Sequence, residues 1–233
     1  MPDLWPNLVV ALDLDSEQKI KNIVAKLTPK VKKFKIGPVA YTRFGPEAIS
    51  WVHKKSAEVF LDFKLYDIPN TMAETAKAFV DLGIWAFTVH LKAGRESIST
   101  LTNKISKYAK EKNKRTPLVF GVTELTSKEA SLEQILSLAK EGKEAGVQGV
   151  VCSVWEAKAI KETTGLLAVT PGIRPSYAKA LESKQESSAD DQKRTASLAD
   201  AVKSGSDYFV VGRPIVKSDN PYKAAENLIE SAF

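Results

Sequence analysis

The sequence is poor in cysteine and contains no long apolar run. Cys152 is the only cysteine among 233 residues, which excludes an internal disulfide and a metal site built from several thiolates. The first fifteen residues, MPDLWPNLVVALDLD, have no basic segment and only a short apolar run that ends in acidic residues. We therefore expect neither a secretory signal nor a membrane-spanning segment, and a folded cytoplasmic protein.

Several common cofactor and catalytic motifs are also absent. No G-x-G-x-x-G precedes a helical segment, and no P-loop, G-x-S-x-G or H-E-x-x-H motif occurs. The formal charge is +6, from 34 basic and 28 acidic side chains, but the basic runs are not interleaved with aromatic residues. This pattern argues against nucleic-acid binding and is compatible with a small anionic ligand.

Eight short, apolar, β-branched segments recur along the chain. They read NLVVALDLD, VKKFKIG, AEVFLDFK, IWAFTVHL, PLVFGVT, VQGVVCS, LLAVT and DYFVVG. The segments between them have helical periodicity, as in SEQKIKNIVAKL and SLEQILSLAKEGKEAG. Apolar strands that alternate with helices predict a parallel sheet covered on both faces. Eight such units in this length favour a single (β/α)₈ barrel, the TIM barrel, over residues 1–233.

Polar side chains occur where the predicted strands end. In a (β/α)₈ barrel this edge carries the active site, and the loops after strands seven and eight often bind phosphate. Here those loops read TPGIRP and VGRP, so Arg174, Gly212 and Arg213 are candidate phosphate ligands. Glycine lets the backbone N–H groups approach closely, and a guanidinium group can bind two phosphate oxygens. For either loop alone, an ordinary structural turn remains an alternative.

The segment FLDFKLYDIPNT places three charged side chains at the end of the predicted third strand. Asp62 and Lys64 share one face of the strand, and Asp67 lies in the loop beyond it. Lys35, at the end of the second strand, should stand beside them, with carboxylates keeping each ammonium protonated in a partly dry pocket. A structural ion-pair network is the alternative, but buried ion pairs are costly to desolvate.

The segment LDFKLYDIPNT resembles the D-x-K-x-x-D-I-x-x-T signature of the orotidine 5′-phosphate decarboxylase family, in its bacterial type. The resemblance continues in order through VALDLD, KIGP, GVTELTS, TPGIRP, DDQKR and VVGRP, and so covers nearly the whole chain. It implies decarboxylation of orotidine 5′-monophosphate to UMP in de novo pyrimidine biosynthesis, without a metal or an organic cofactor.

The resemblance also implies roles for individual residues. Lys64 would donate a proton to C6 of the pyrimidine, where loss of carbon dioxide leaves a carbanion, and Asp62 would lie against the substrate carboxylate. Asp67 and Thr71 would act across the interface of a homodimer, whose active sites are then shared. The other implied substrate contacts are Asp13 and Lys35 at the ribose, Thr123 and Thr126 near the base, and Arg174, Gln192, Gly212 and Arg213 at the phosphate.

Three positions have competing interpretations. The segment SYAKALESKQESSA is longer than expected for bacterial members of the family, but the local match of DDQKR favours Gln192 over Gln185 as a phosphate ligand. Thr71 opens TMAE, a capping box with Glu74, so a plain helix-start role competes with substrate binding. His90 ends the fourth strand and is expected to be a packed, hydrogen-bonded interior side chain rather than an acid–base group.

Two other functions remain open. A sugar-phosphate decarboxylase or aldolase of the same superfamily would use a similar D-x-K-x-x-D loop to hold magnesium; Lys35, the TELTS loop and the glutamine at the phosphate favour the nucleotide enzyme instead. A non-catalytic barrel that binds a phosphorylated ligand or RNA would show no turnover and a strongly salt-dependent affinity for nucleic acid.

Overall fold

The computed structural model of the chain describes residues 3–28, 30–124, 130–175 and 195–233, and these form a (β/α)₈ barrel. Eight parallel strands pair in sequence order within the described residues, and β1 pairs with β8 to close the sheet. The strands are β1 (Leu8–Ala11), β2 (Lys33–Ile36), β3 (Glu58–Leu65), β4 (Ala86–His90), β5 (Leu118–Val122), β6 (Gly149–Val151), β7 (Leu167–Thr170) and β8 (Tyr208–Val211). The predicted fold class is confirmed, since all eight apolar segments are strands.

Helices connect the strands. Within the described residues they are α1 (Glu17–Leu27), α2 (Pro38–Phe44), α3 (Glu47–His53), α4 (Pro69–Asp81), α5 (Arg95–Glu111), α6 (Leu132–Glu144), α7 (Val154–Thr164), α8 (Leu198–Lys203), α9 (Arg213–Val216) and α10 (Pro221–Glu230). Short 3₁₀ turns cover Trp5–Asn7 and Leu91–Ala93. Across the described parts of the chain, no helix is both long enough and apolar enough to cross a membrane.

The start of α4 differs from the sequence prediction. The helix begins at Pro69, with Ile68 as the preceding cap residue, so Thr71 lies inside the first turn and not at the helix start. Proline suits the first helical position because its φ is already helical and its missing N–H would have no partner there. The capping box predicted from TMAE is therefore wrong, and Glu74 instead pairs with Lys77 at 2.8 Å.

Strand side chains alternate between the barrel interior and the helical layer. On β1, Val9 and Ala11 belong to the interior cluster, whereas Leu8 and Val10 belong to the large core between sheet and helices. The same alternation on β2 places Lys33 beside Val9 and Lys35 beside Ala11. The two lysines therefore lie at different heights, Lys33 toward the amino edge and Lys35 toward the carboxyl edge.

An aromatic layer fills the barrel toward its amino edge. Phe60, Trp85, Phe120 and Tyr208 make edge-on or tilted ring contacts, with centroids 5.0 to 6.2 Å apart. The ammonium group of Lys33 lies 5.1 Å from the centroid of the Trp85 ring, so its charge is held against a π face. This packed layer is the floor on which the cavity at the opposite edge is built.

Candidate active site

A cavity of about 630 Å³ opens at the carboxyl edge of the barrel. Side chains and backbone from the ends of several strands line it, as expected for a barrel of this type. The lining residues are Ala11, Asp13, Lys35, Phe60, Asp62, Lys64, Val122, Glu124, Val151, Pro171, Gly172, Arg174, Val210, Gly212, Arg213, Val216 and Lys217. The described residues thus line the cavity with charged side chains together with valines and Phe60.

Four of the charged side chains form a row of alternating charge, which we call the charge row: Asp13, Lys35, Asp62 and Lys64. Lys35 Nζ lies 2.9 Å from Asp13 Oδ2 and 3.4 Å from Asp62 Oδ2. Lys64 Nζ lies 2.9 Å from Asp62 Oδ1. The contact between Lys35 and the third strand that was predicted from the sequence is therefore present, and each charge in the row touches an opposite one.

The buried members of the charge row have shifted pKa values. Burial disfavours the ammonium form of Lys35, but Asp62 and Asp13 outweigh this, so the pKa of Lys35 is raised. Burial likewise disfavours the Asp62 carboxylate, but Lys35, Lys64 and the hydrogen bonds from Lys64 and Thr88 outweigh it. The pKa of Asp62 is accordingly lowered. Both groups are therefore ionised at neutral pH, and their charges are fixed before any ligand arrives.

Close backbone packing supports the charge row at Gly37. A Cβ atom at this position would lie 2.7 Å from Asp13 Oδ1 and 3.2 Å from Lys35 Nζ. The φ of Gly37 is −101°, which any residue adopts, so a larger residue here is opposed only by the space that the Asp13–Lys35 pair occupies.

A second group of lining residues contains basic side chains and glycines, and we call it the arginine end: Gly172, Arg174, Gly212, Arg213 and Lys217. Arg174 is buried, with 8% of its surface exposed, and Arg213 is half-buried. The loops after β7 and β8 thus converge on one cavity, as predicted from TPGIRP and VGRP. A dianionic phosphate group fits this end because two guanidinium groups and glycine backbone are close together.

Asp67 and Thr71 lie outside the cavity of their own chain. Both side chains are exposed, and Asp67 Oδ1 accepts a hydrogen bond from the Ile68 N–H at 2.7 Å. The loop position predicted for Asp67 is confirmed, since β3 ends at Leu65 and α4 begins at Pro69.

Thr123 does not line the cavity. Its side chain is 1% exposed, and its hydroxyl donates to the Val151 carbonyl at 3.5 Å, between β5 and β6. The remaining predicted contacts, Thr126 and Gln192, and the alternative Gln185, lie outside the described residues.

Two charged residues of the cavity were missed by the sequence interpretation. Glu124 lies two residues beyond the end of β5, and its carboxylate, with only 11% of the side chain exposed, pairs with Lys92. A charged residue just beyond a predicted strand end is a signal from which the sequence could have indicated Glu124 as a cavity residue. Lys217 follows Arg213 by four residues, the spacing that brings two side chains to one side of a helical turn.

His90 and Cys152 do not line the cavity. His90 Nδ1 accepts from the Lys92 N–H at 3.3 Å, which confirms the expected hydrogen bond. However, the ring is half-buried at the rim, with its centroid 5.7 Å from the exposed Tyr66 ring, so the expected interior position is wrong. Cys152 is buried, and burial raises the pKa of its thiol, which leaves little reactive thiolate.

A larger concavity of about 840 Å³ adjoins the cavity and shares Asp13, Val216 and Lys217 with it. Its other lining positions are mainly on α1 and α2, and its charged side chains there are exposed. The smaller cavity contains the buried, mutually paired charges, and we therefore assign the candidate active site to it. Among the described residues, no three His, Cys, Asp or Glu side chains come together as a possible metal site.

The fold and this site define a (β/α)₈-barrel protein with a charged ligand cavity at the carboxyl ends of its strands. Within that class, the chain belongs to the orotidine 5′-phosphate decarboxylase / HUMPS family, whose sequence model matches residues 6–228. The resemblance found in the motifs is thereby confirmed.

Individual relatives are similar over nearly their whole length. The chain is 37% identical to an orotidine 5′-phosphate decarboxylase of Vibrio cholerae, over 97% of this chain and 98% of the relative. It is 36% identical to that of Psychromonas ingrahamii, over 97% of both chains. The crystal structure of orotidine 5′-phosphate decarboxylase from Lactobacillus acidophilus matches with a TM-score of 0.80 at 33% identity, over 97% of this chain and 99% of that one.

Proposed function

We propose that the chain decarboxylates orotidine 5′-monophosphate to UMP in de novo pyrimidine biosynthesis, and that residues 1–233 form one domain for this reaction. The charge row carries the proposal, because it places fixed charges of both signs in the same cavity as the arginine end. Such a cavity suits a substrate with a carboxylate on its base and a phosphate on its ribose. The names of the relatives support the same reaction.

In the proposed reaction, the bond between C6 and the carboxylate breaks, carbon dioxide leaves, and the electron pair stays on C6. Lys64 then donates a proton from its ammonium group to C6, which gives UMP, and the neutral amine is reprotonated by water. Fixed positive charge in a partly buried site stabilises the developing carbanion, because little reorganisation is needed at the moment of reaction. Asp62 faces the substrate carboxylate in this arrangement and favours its departure.

The rest of the cavity would bind the nucleotide away from C6. In our proposal, Asp13 and Lys35 bind the ribose hydroxyls, while Arg174, Gly212, Arg213 and Gln192 bind the phosphate, and Thr126 binds the base. The hydroxyl of Thr123 is already bonded to a carbonyl group, so Thr123 would contribute by fixing the start of the base-binding loop. Phosphate contacts remote from C6 supply binding energy that aligns the reacting base with the charge row.

We further propose a homodimer in which Asp67 and Thr71 reach the cavity of the partner chain. The exposed position of both side chains supports this, because neither lines the cavity of its own chain. Tyr66 and Ile68 flank Asp67 and are 64% and 66% exposed, which is a large apolar surface for an isolated chain. We place the enzyme in the cytoplasm, with no nucleic-acid or membrane partner and no cofactor.

The decisive assay follows the loss of orotidylate absorbance by the purified chain, with UMP identified as the product, in the presence and absence of a chelator. We expect turnover that the chelator leaves unchanged. Inhibition that magnesium reverses would favour a sugar-phosphate decarboxylase or aldolase of the same superfamily. No turnover together with strongly salt-dependent RNA binding would favour a non-catalytic barrel.

A further inference from the structure

Thr88, on β4, contacts two members of the charge row through a single hydroxyl group. Its Oγ1 donates to Asp62 Oδ1 at 3.0 Å and accepts from the backbone N–H of Lys64 at 2.8 Å. We propose that Thr88 is a positioning residue that holds Asp62 and Lys64 in their reactive arrangement. This inference rests on the proposed decarboxylation and assigns to it a residue that is not itself in contact with the cavity.

The backbone around Lys64 explains why an additional support is needed. The pairing of β3 with β4 is regular at Leu61–Phe87 and resumes only at Leu65–Val89, so three residues of β3 oppose Thr88 alone. An irregularity of this kind redirects side chains but removes ladder hydrogen bonds. The Thr88 hydroxyl replaces one of them, since it accepts from the Lys64 N–H.

Lys64 also has a backbone conformation that lysine rarely adopts. Its φ is +50°, one of three positive φ values among the described non-glycine residues. Such a conformation persists only where surrounding contacts hold it, and it aims the side chain differently from a regular strand residue. Thr88 is fully buried, so its bond to the Lys64 N–H is shielded from competing water.

The second hydrogen bond of Thr88 fixes the rotation of the Asp62 carboxylate. Oδ1 receives both the Thr88 hydroxyl and the Lys64 ammonium, the latter at 2.9 Å, while Oδ2 faces Lys35 at 3.4 Å. Each carboxylate oxygen is thereby assigned to one lysine. Without the hydroxyl, the carboxylate could rotate, and both ammonium positions would become less defined.

The test compares Thr88→Val, which keeps the shape of the side chain and removes both hydrogen bonds, with Thr88→Ser, which keeps the hydroxyl. In Thr88→Val we expect kcat to fall on the order of 10- to 100-fold, because a small misplacement of reacting groups has effects of this size. UMP affinity should change by less than about threefold, since the arginine end is untouched. Thr88→Ser should recover most of the lost kcat.

Thr164→Val is the matched control. Thr164 is also buried, and its hydroxyl donates to the Ile160 carbonyl at 2.7 Å and accepts from the Leu166 N–H at 3.1 Å, at the end of α7 and away from the cavity. This variant reports what the loss of a buried hydroxyl does to stability alone, and its kcat should stay within about twofold of the wild type.

The pH profile of kcat gives a second readout that a purely structural role would not move. The groups that face Asp62 are Lys35 from β2, Lys64 from β3 and Thr88 from β4, and Asp13 and Glu124 are the other carboxylates of the cavity. Removing a hydrogen bond to the ionised form of Asp62 should move the acidic limb of the profile to higher pH in Thr88→Val and not in Thr164→Val.

Equal kcat and equal pH profiles in Thr88→Val and Thr88→Ser would overturn the inference, as would a kcat loss that only follows the loss of folded protein. Inactive wild-type enzyme would instead reject the proposed function. In that case the crystal structure of Thr88→Val tests whether Thr88 positions Asp62 and Lys64. An unchanged φ at Lys64 with an unchanged Asp62–Lys64 contact would reject it, and a displaced pair would support it.

Discussion

Asp62 contacts two lysines of the charge row, so the loss of one of them does not leave its buried carboxylate without a partner. In Lys64→Ala, Asp62 would keep Lys35 at 3.4 Å and the Thr88 hydroxyl at 3.0 Å. We therefore expect a folded protein that binds UMP within about fivefold of wild-type affinity but has lost the proposed proton donor. Turnover should fall by at least about 10³-fold, and stopped assays with UMP detection would measure it.

Lys21→Ala is the control for this experiment, because Lys21 pairs with Glu17 on the surface of α1, away from the cavity. Its turnover should equal that of the wild type. Near-normal turnover in purified Lys64→Ala would remove Lys64 from the mechanism.

A second prediction at the scale of a single residue concerns Asp62 and the pH dependence of the free energy of unfolding. Its folded-state pKa is lowered, so its contribution is fully present above the unfolded pKa, about 3.9, and is lost as pH falls through the folded value. The difference in free energy of unfolding between wild type and Asp62→Asn should therefore decrease from pH 6 to pH 3. Urea unfolding at a series of pH values measures it.

Asp81→Asn provides a matched comparison on the surface. Its carboxylate pairs with Lys114 at 2.9 Å, and its pKa is also lowered, chiefly by hydrogen bonds from Lys114 and Tyr108. Because solvent screens this exposed pair, the difference in free energy of unfolding between wild type and Asp81→Asn should decrease less from pH 6 to pH 3 than the difference for Asp62→Asn. An equal or larger decrease for Asp81→Asn would contradict the buried-pair explanation.

At the scale of secondary-structure elements, the junction between β2 and α2 positions the charge row. Gly37 caps α2 immediately after β2, and an alanine Cβ there would overlap Asp13 Oδ1 at 2.7 Å. Gly37→Ala should therefore separate the Asp13–Lys35 pair and lower kcat/KM by roughly 10- to 100-fold while the barrel stays folded. Steady-state kinetics and circular dichroism together test this expectation.

Gly94→Ala is the contrasting variant. Gly94 has φ +87°, where alanine is strained, but apart from its chain neighbours no described residue has an atom within 4 Å of the added Cβ. It should lower stability and leave kcat/KM unchanged. If Gly37→Ala also lowered stability and left kcat/KM unchanged, the close packing of Gly37 against the charge row would not matter for catalysis.

The elements that the sequence predicted well are those with strong local signals. All eight strands were recognisable because each is a short apolar, β-branched run, and burial on both faces of a parallel sheet demands that composition. The start of α4 was missed because two local signals compete there, the proline at position 69 and the TMAE capping pattern, and the proline determines the boundary.

The site was predictable only as far as strand periodicity holds. Alternation placed Asp62 and Lys64 on one face, and strand order brought Lys35 beside them. The irregular pairing of β3 with β4, the positive φ of Lys64 and the contacts of Thr88 depend on two strands together. No single segment of sequence encodes them, so the supporting interactions became visible only in the assembled barrel.

At the scale of the whole molecule, the single chain contains a charge row but not every carboxylate that was predicted to complete it. Asp67 is exposed on the loop between β3 and α4, between the exposed apolar side chains of Tyr66 and Ile68. A two-fold interface would bury this surface on both chains and deliver each Asp67 to the other cavity, since such an interface uses the same patch twice.

This shared-site arrangement predicts complementation between two inactive variants. Lys64→Ala and Asp67→Ala chains, mixed in equal amounts after gentle dissociation, should recover about a quarter of wild-type sites, because each heterodimer contains one site with both native residues and one with neither. Turnover per site is measured before and after mixing, and subunit exchange is verified with differently tagged chains. If Asp67 served its own chain, every site in the mixture would still lack one group. In that case no activity would return even with exchange complete, and the shared-site proposal would be rejected.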